Sequence, residues 1–284
     1  MLAKTGRERN LLNSEENTLE EFHTPQGLSR FLPWNVRRKK IKLGKHFIYE
    51  IPKPFQFPHN SICQFWDSTN KIVASGTAIR KDVVLTAGHN FESPDLIELA
   101  INPTYMVRQA FHANPNVVSR HQIKDVKIHP KWHSEFNDFF DLALVFLETK
   151  LDHSLPISNQ SEFSPDQSDI WTVGYPKNDH PRQYFGRGRI LQTVENMIGY
   201  DAPADFGMSG GAVFGLVENK IRLIGMHLGN KNKASDQFEK PFFKGIQFDD
   251  HLLEWISTSL SSFNDSSENL TVENNPQSEG QTHA

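Results

Sequence analysis

From about residue 60 the apolar positions of the chain fall into short β-rich runs broken by turn residues. The runs predict strands at Ser61–Trp66, Lys71–Ile79, Val83–Thr86, Leu96–Asn102, Val117–Arg120 and Ile123–Ile128. Asp141–Leu147 follows, and it is too continuously apolar for a solvent-facing strand. A Ser-, Pro-, Asn- and Asp-rich stretch from Glu148 to Ser168 reads as the seam between two halves. Beyond it the pattern resumes at Ile170–Val173, Gln183–Phe185, Gly188–Val194, Ala212–Val217, Ile221–His227 and Phe243–Phe248. Asp249-Asp250 then stands where a helix cap belongs, and Leu252, Leu253, Trp255, Ile256 and Leu260 are spaced for one buried helical face. Many short strands in two halves, closed by one helix, predict an all-β protein of paired antiparallel barrels.

The two ends do not share this pattern. Residues 1–45 are polar and end in the basic cluster Arg37-Arg38-Lys39-Lys40, which reads as a solvated arm or a pro-segment. A nuclear-localisation or anion-binding role is the weaker reading of so common a feature. After Ser262 the tail carries four acidic residues, no Lys or Arg and little apolar content, so residues 263–284 are expected to be disordered. The predicted organisation is an arm over 1–45, a first barrel over 46–155, a second barrel with its helix over 156–262, and the tail.

Composition removes several function classes. A net charge of −4 over 284 residues argues against a nucleic-acid or membrane-surface binder. No apolar leader and no span of about eighteen apolar residues is present, so no cleavable Sec signal and no membrane span are expected. Cys63 is the single cysteine, which excludes an internal disulfide and points to inert core packing. That fits the cytoplasm, or export by a route without a cleavable signal. His121, His129, His133 and His153 lack metal-ligand spacing, and no metal or cofactor is expected.

Three stretches carry candidate chemistry. Ser75-Gly76-Thr77 leads to Leu85-Thr86-Ala87-Gly88-His89, Asn137-Asp138 to Asp141-Leu142-Ala143-Leu144, and the third is Gly207-Met208-Ser209-Gly210-Gly211. A serine flanked by glycines allows positive φ and close approach of a substrate, and its turn aims backbone N–H groups at one point. A serine hydroxyl attacks only when an imidazole takes its proton, and the imidazole needs a carboxylate to fix its tautomer. The chain supplies one of each, in the order His, Asp, Ser.

That order and those surroundings resemble the chymotrypsin-like (trypsin-like) serine proteases over roughly residues 60 to 260. The resemblance implies two six-stranded β-barrels with a C-terminal helix, and a serine endopeptidase acting through an acyl-enzyme. By resemblance His89 is the general base, Asp141 its orienting acid with Asp138 as runner-up, and Ser209 the nucleophile. The N–H groups of Gly207 and Ser209 would form the oxyanion hole. The chain looks most like the bacterial glutamyl endopeptidase branch, through Val173-Gly174-Tyr175-Pro176, Tyr200-Asp201 and Gly225-Met226-His227-Leu228-Gly229. In that branch the histidine matched by His227 lines the pocket for an acidic side chain, so His227, Ala204 and Gly229 are the candidate specificity positions. The chain departs from the pattern in four places. Ala204 replaces a threonine, Met208 the aspartate that pairs with a newly cut N-terminus, Asn90 a disulfide cysteine, and Ala212 a proline.

The expected partner is a protein or peptide substrate, met by a monomer. Two other functions compete. An α/β-hydrolase esterase shares the G-x-S-x-G pattern, but Ala212–Val217 after the serine reads as strand where that fold needs helix. A protease-fold binding module without catalysis would need an occluded cleft or a misformed oxyanion hole around Met208.

Overall fold

A computed structural model of the protein describes residues 40–43, 46–66, 72–91, 106–110, 120–135, 137–163, 169–177, 182–230 and 243–272. The strand expected at Leu96–Asn102, most of that at Val117–Arg120, the arm before Lys40 and the tail after Val272 lie outside these residues.

The first barrel is made by β3 (Ile62–Trp66), β4 (Ile72–Arg80), β5 (Val83–Thr86), β6 (Met106–Gln109), β7 (Arg120–Ile128) and β8 (Ala143–Leu147). It closes in the order β3-β4-β5-β8-β7-β6. The second is made by β9 (Asp169–Gly174), β10 (Tyr184–Val194), β11 (Met197–Tyr200), β12 (Ala212–Val217), β13 (Lys220–Asn230) and β14 (Phe243–Gln247). Its ring runs β10-β11-β14-β13-β12-β9 and is shut by pairing of β9 with β10. Two antiparallel six-stranded barrels and a C-terminal helix give the chymotrypsin-like architecture expected from the sequence.

The continuous apolar strand at residues 141–147 now has its reason. Successive side chains on a strand alternate between faces. Leu144 and Phe146 join the cluster between the barrels, while Ala143, Val145 and Leu147 fill the lumen of the first. On β5, Val83 and Leu85 face the seam and Val84 the lumen. On β12, Ala212 and Phe214 face the seam and Val213 the second lumen. Each of these strands is buried on both faces, and their one polar side chain, Thr86 at the end of β5, is paired with the Ser75 carbonyl.

The strands depart from expectation in three ways. The runs 183–185 and 188–194 form the single strand β10, because Gly186 and Gly188 sit against the backbone of Pro203 and Ala202 where a Cβ would collide. Strands β6 and β11 occupy short stretches whose apolar signal is weak. A hairpin of β1 (Lys40–Leu43) and β2 (His46–Glu50) pairs through Glu50↔Tyr184 and Tyr49↔Phe185 with β10. Residues 46–50, expected to open the first barrel, therefore extend the sheet of the second.

The short helix α1 (Pro130–Glu135) follows β7, and the chain closes with α2 (Asp250–Val272). Asp249 Oδ1 accepts the Leu252 N–H at 2.8 Å as an N-cap, and Leu252 and Ile256 bury against the inter-barrel core. The helix continues past Ser262, where the sequence suggested order would end. Propagating a helix already nucleated and docked costs far less than starting one.

Candidate active site

The β5–β8 register explains how His89 and Asp141 meet. Thr86 pairs with Ala143 in antiparallel array, so the chain leaves β5 and enters β8 at the same end of the barrel. His89 sits on a 3₁₀ turn, Gly88–Phe91, three residues beyond that pair. Asp141 caps another 3₁₀ turn, Asp138–Phe140, two residues before it. The Asn137 side chain accepts the Phe139 N–H and fixes the start of the second turn. Asp141 Oδ2 lies 2.7 Å from His89 Nδ1, and Oδ1 accepts the His89 backbone N–H at 2.8 Å. One buried carboxylate thus holds both the ring and the main chain of the histidine, leaving the imidazole partly open to solvent. Asp138, the runner-up acid, instead meets Lys244 Nζ at 2.6 Å.

Ser209 reaches this pair across the seam. The Ser75 N–H donates to its carbonyl at 3.0 Å, and the Asn90 amide nitrogen lies 3.4 Å from the same oxygen. Asn90 also donates to Thr86 Oγ1 at 2.9 Å, and Thr86 Oγ1 donates to the Ser75 carbonyl at 2.8 Å. Gly210, at φ +82°, allows this closeness, because a Cβ there would strike Thr86 Oγ1 and the Ser75 carbonyl oxygen. Ser209 Oγ donates to the Leu228 carbonyl at 3.0 Å.

The amides of the serine turn divide into two sets. Met208 N–H donates to Asp205 O, Gly210 N–H to His227 O, and Gly211 N–H to Met208 O. Among the described residues, neither the Gly207 nor the Ser209 N–H has an acceptor. The Phe206 carbonyl accepts from Lys177 N at 2.6 Å. In a trans peptide the following N–H points the opposite way, so the Gly207 N–H faces away from Lys177. Ser75 Oγ, buried, donates to the Gly207 carbonyl and accepts from Tyr175 N–H, each at 2.8 Å. This support was not singled out from the sequence, although Ser75 opens the first of the three stretches.

His227 is 2% exposed, with Nδ1 at 2.7 Å from Tyr200 Oη. Burial pushes its pKa down to about 3, and the charge of nearby His89 adds to the effect. The Tyr200 hydroxyl also lies 3.1 Å from the Lys244 carbonyl. Ala204 is buried with Ile48, Tyr184 and Met208, whereas a Cβ at Gly229 would meet nothing within 4 Å. The other histidines serve packing: His121 Nδ1 bonds Thr149 Oγ1, and His129 stacks on Phe140. Burial pushes the Cys63 thiol well up, away from reactivity. No group of three or more His, Cys, Asp or Glu residues that could hold a metal occurs among the described residues. Nor is any helix among them long and apolar enough to cross a membrane.

Comparison with known proteins agrees with this architecture. A solved structure of a Glu endopeptidase in complex with MPD superposes with a TM-score of 0.62 at 16% identity, covering 77% of this chain and 99% of that one. The trypsin-like peptidase domain matches residues 74–226, a span that includes His89, Asp141 and Ser209. A match over more than half of the chain, on this two-barrel frame, places the protein in the trypsin-like peptidase family.

Proposed function

We propose that the protein is a serine endopeptidase in which Ser209 is the nucleophile, His89 the general base and Asp141 its orienting acid. The observation that carries this reading is the Asp141 carboxylate gripping His89 at Nδ1 and at the backbone, while the adjacent Asn90 amide reaches the carbonyl of Ser209 in a turn bearing two unpaired amides. Attack begins when the Ser209 hydroxyl turns from the Leu228 carbonyl to His89. The proton passes to Nε2 as the Oγ–C bond forms, and the oxyanion takes the Gly207 and Ser209 N–H groups. His89 then gives that proton to the leaving amine as the C–N bond breaks. Water repeats the sequence on the acyl-enzyme and releases the acid. The substrate adds as an extended strand along Leu228-Gly229-Asn230, where Gly229 leaves open space.

An acidic residue before the scissile bond is the proposed preference, read by His227, with Ala204 and Gly229 as the other candidate specificity positions. The Tyr200 phenol decides how His227 is presented. If Tyr200 donates to Nδ1 at 2.7 Å, the imidazole proton sits on Nε2 and is offered to a carboxylate. If Tyr200 donates to the Lys244 carbonyl, Nε2 carries a lone pair and repels one. An incoming carboxylate selects the first arrangement. The barrel boundaries near 155–156, and action as a monomer, belong to the same proposal.

The test is labelling with a fluorophosphonate probe and digestion of casein, read by mass spectrometry, with Ser209→Ala as control. Labelling and cuts that vanish in the variant are expected, clustered after Glu or Asp. A shift to unselective cutting in His227→Val would assign the pocket. No labelling of folded protein would replace the endopeptidase reading with a silent binding module.

A further inference from the structure

The β1–β2 hairpin belongs to neither barrel ring, yet among its described side chains the only fully buried one, Ile48, ends beside the serine turn. Ile48, Tyr184, Ala204 and Met208 form one buried cluster, with Ile41, Leu43 and Phe243 packed against it. Met208 lies between Gly207 and Ser209, so its side chain points away from the two amides it separates and into this cluster. Its own N–H and C=O are engaged, to Asp205 O and from Gly211 N. The flanking peptides are tied at the Phe206, Gly207 and Met208 carbonyls by Lys177 N–H, Ser75 Oγ and Gly211 N–H. The seat of the Met208 side chain, which also accepts the Asp205 N–H at Sδ, holds the residue between those ties. A methionine with three rotatable bonds keeps one position only where its neighbours leave it no alternative.

We propose that the hairpin is an intramolecular brace for the oxyanion turn, and that Ile48 is a positioning residue acting through Met208. This rests on the reading that the Gly207 and Ser209 amides receive the oxyanion. The hairpin is otherwise held by two register pairs with β10, an Arg182–Glu50 ion pair at 3.0 Å, and Tyr49, which packs on Phe185 and the inter-barrel core. Ile41 and Leu43 turn to the same cluster as Ile48. Removing part of Ile48 opens space that Met208 can enter, and the peptides on either side turn with it. Oxyanion donors act only when held within about 0.5 Å of their productive position.

The test compares Ile48→Ala with Ile123→Ala, which removes the same atoms from the lumen of the first barrel, remote from the turn. Hydrogen exchange of full-length protein is read at peptides covering residues 204–211, whose Met208, Gly210 and Gly211 amides are bonded. Exchange there is expected to rise about 10-fold or more in Ile48→Ala and to stay near wild type in Ile123→Ala. With a chromogenic peptide substrate, kcat is expected to fall about 10- to 100-fold in Ile48→Ala while KM stays within about twofold. Ile48→Val should recover most of both. Unchanged exchange at 204–211, or equal loss of kcat in the two alanine variants, overturns the brace. If the wild type itself turns over no substrate, the endopeptidase reading falls and exchange alone decides the brace. Should Ile48→Ala fail to fold, Leu43→Ala weakens the same cluster from its partly buried edge and is read in the same way.

Discussion

Ser75 and Thr77 stand two residues apart on β4, both buried, both carrying a hydroxyl, and removing the two hydroxyls should change stability with opposite signs. Ser75 Oγ holds two partners, the Tyr175 N–H and the Gly207 carbonyl. In Ser75→Ala the Tyr175 N–H is left buried without an acceptor, at a cost of about 1–3 kcal/mol. The Gly207 carbonyl lies nearer solvent and loses a bond worth about 0.5–1.5 kcal/mol net. The sum is about 1.5–4.5 kcal/mol. Thr77 Oγ1 has no hydrogen-bond partner among the described residues, so Thr77→Val exchanges an unpaired hydroxyl for a methyl of similar size. That change should be neutral or stabilising by up to about 1 kcal/mol. Urea unfolding at constant m reads both, and kcat should drop in Ser75→Ala alone, because Gly207 then loses one of its two ties. A cost below about 0.5 kcal/mol for Ser75→Ala, or the same sign for both variants, would refute this use of the two hydroxyls.

The remaining predictions concern the histidines. In Asp141→Asn one oxygen can still accept the His89 N–H, but an NH₂ then faces Nδ1 and forces the proton to Nε2. Acylation should fall by about 10³–10⁴ with little change in fold, and near-normal kcat would sink the role given to Asp141. His227 and His129 are held neutral by burial, with pKa values pushed down to about 3 and about 4. Their folded values lie below the unfolded value of about 6.5, so the stabilisation is full above that pH and is lost as pH falls toward the folded values. Between about pH 6 and 4.5 the unfolded chain binds up to two more protons, a slope near 2.7 kcal/mol per pH unit. Urea unfolding across that range should show this slope, and His129→Gln should roughly halve it. Stability that stays flat from pH 6.5 to 4.5 would contradict the neutral burial of both rings.

The barrels and the three site motifs are legible in the sequence because each depends on local pattern. Strands such as Ala143–Leu147 and Ala212–Val217 declare themselves by being apolar on both faces, and Thr86–His89, Asp141 and Gly207–Gly211 sit at strand ends where turn residues mark them. What stays hidden depends on partners distant in sequence. Ser75 reads as an ordinary strand serine until Tyr175 and Gly207 come to meet it, 100 and 132 residues away. Lys40–Leu43 reads as the end of a polar arm and residues 46–50 as the start of the first barrel, because the partners of Ile41, Leu43 and Ile48 lie on β10 and in the serine turn. Tyr200 and His227 are each visible, but their mutual hydrogen bond is fixed only by the pairing of β11 and β13 with β14.

The site divides into a part made within one barrel and a part made between two. His89 and Asp141 meet because β5 and β8 are neighbours in one ring, and their contact needs nothing from the second barrel. Ser209 belongs to the other ring and is brought to His89 by neutral links: Ser75 N–H and Asn90 Nδ2 to its carbonyl, and Ser75 Oγ to Gly207. The Asn90 amide spans from Thr86 to Ser209. The Lys244–Asp138 ion pair and the Asn196 amide on the Phe139 carbonyl add to the seam beside Asp141. A chain with one buried cysteine therefore joins its halves by hydrogen bonds, rather than covalent closure, that tie the Ser209 turn to Ser75 and Asn90. Damage inside a lumen lowers the stability of one barrel, and damage at the seam or at the Met208 seat moves Ser209 and its amides relative to an intact His89–Asp141 pair. On the proposed endopeptidase reading, the seam is therefore where packing is converted into rate.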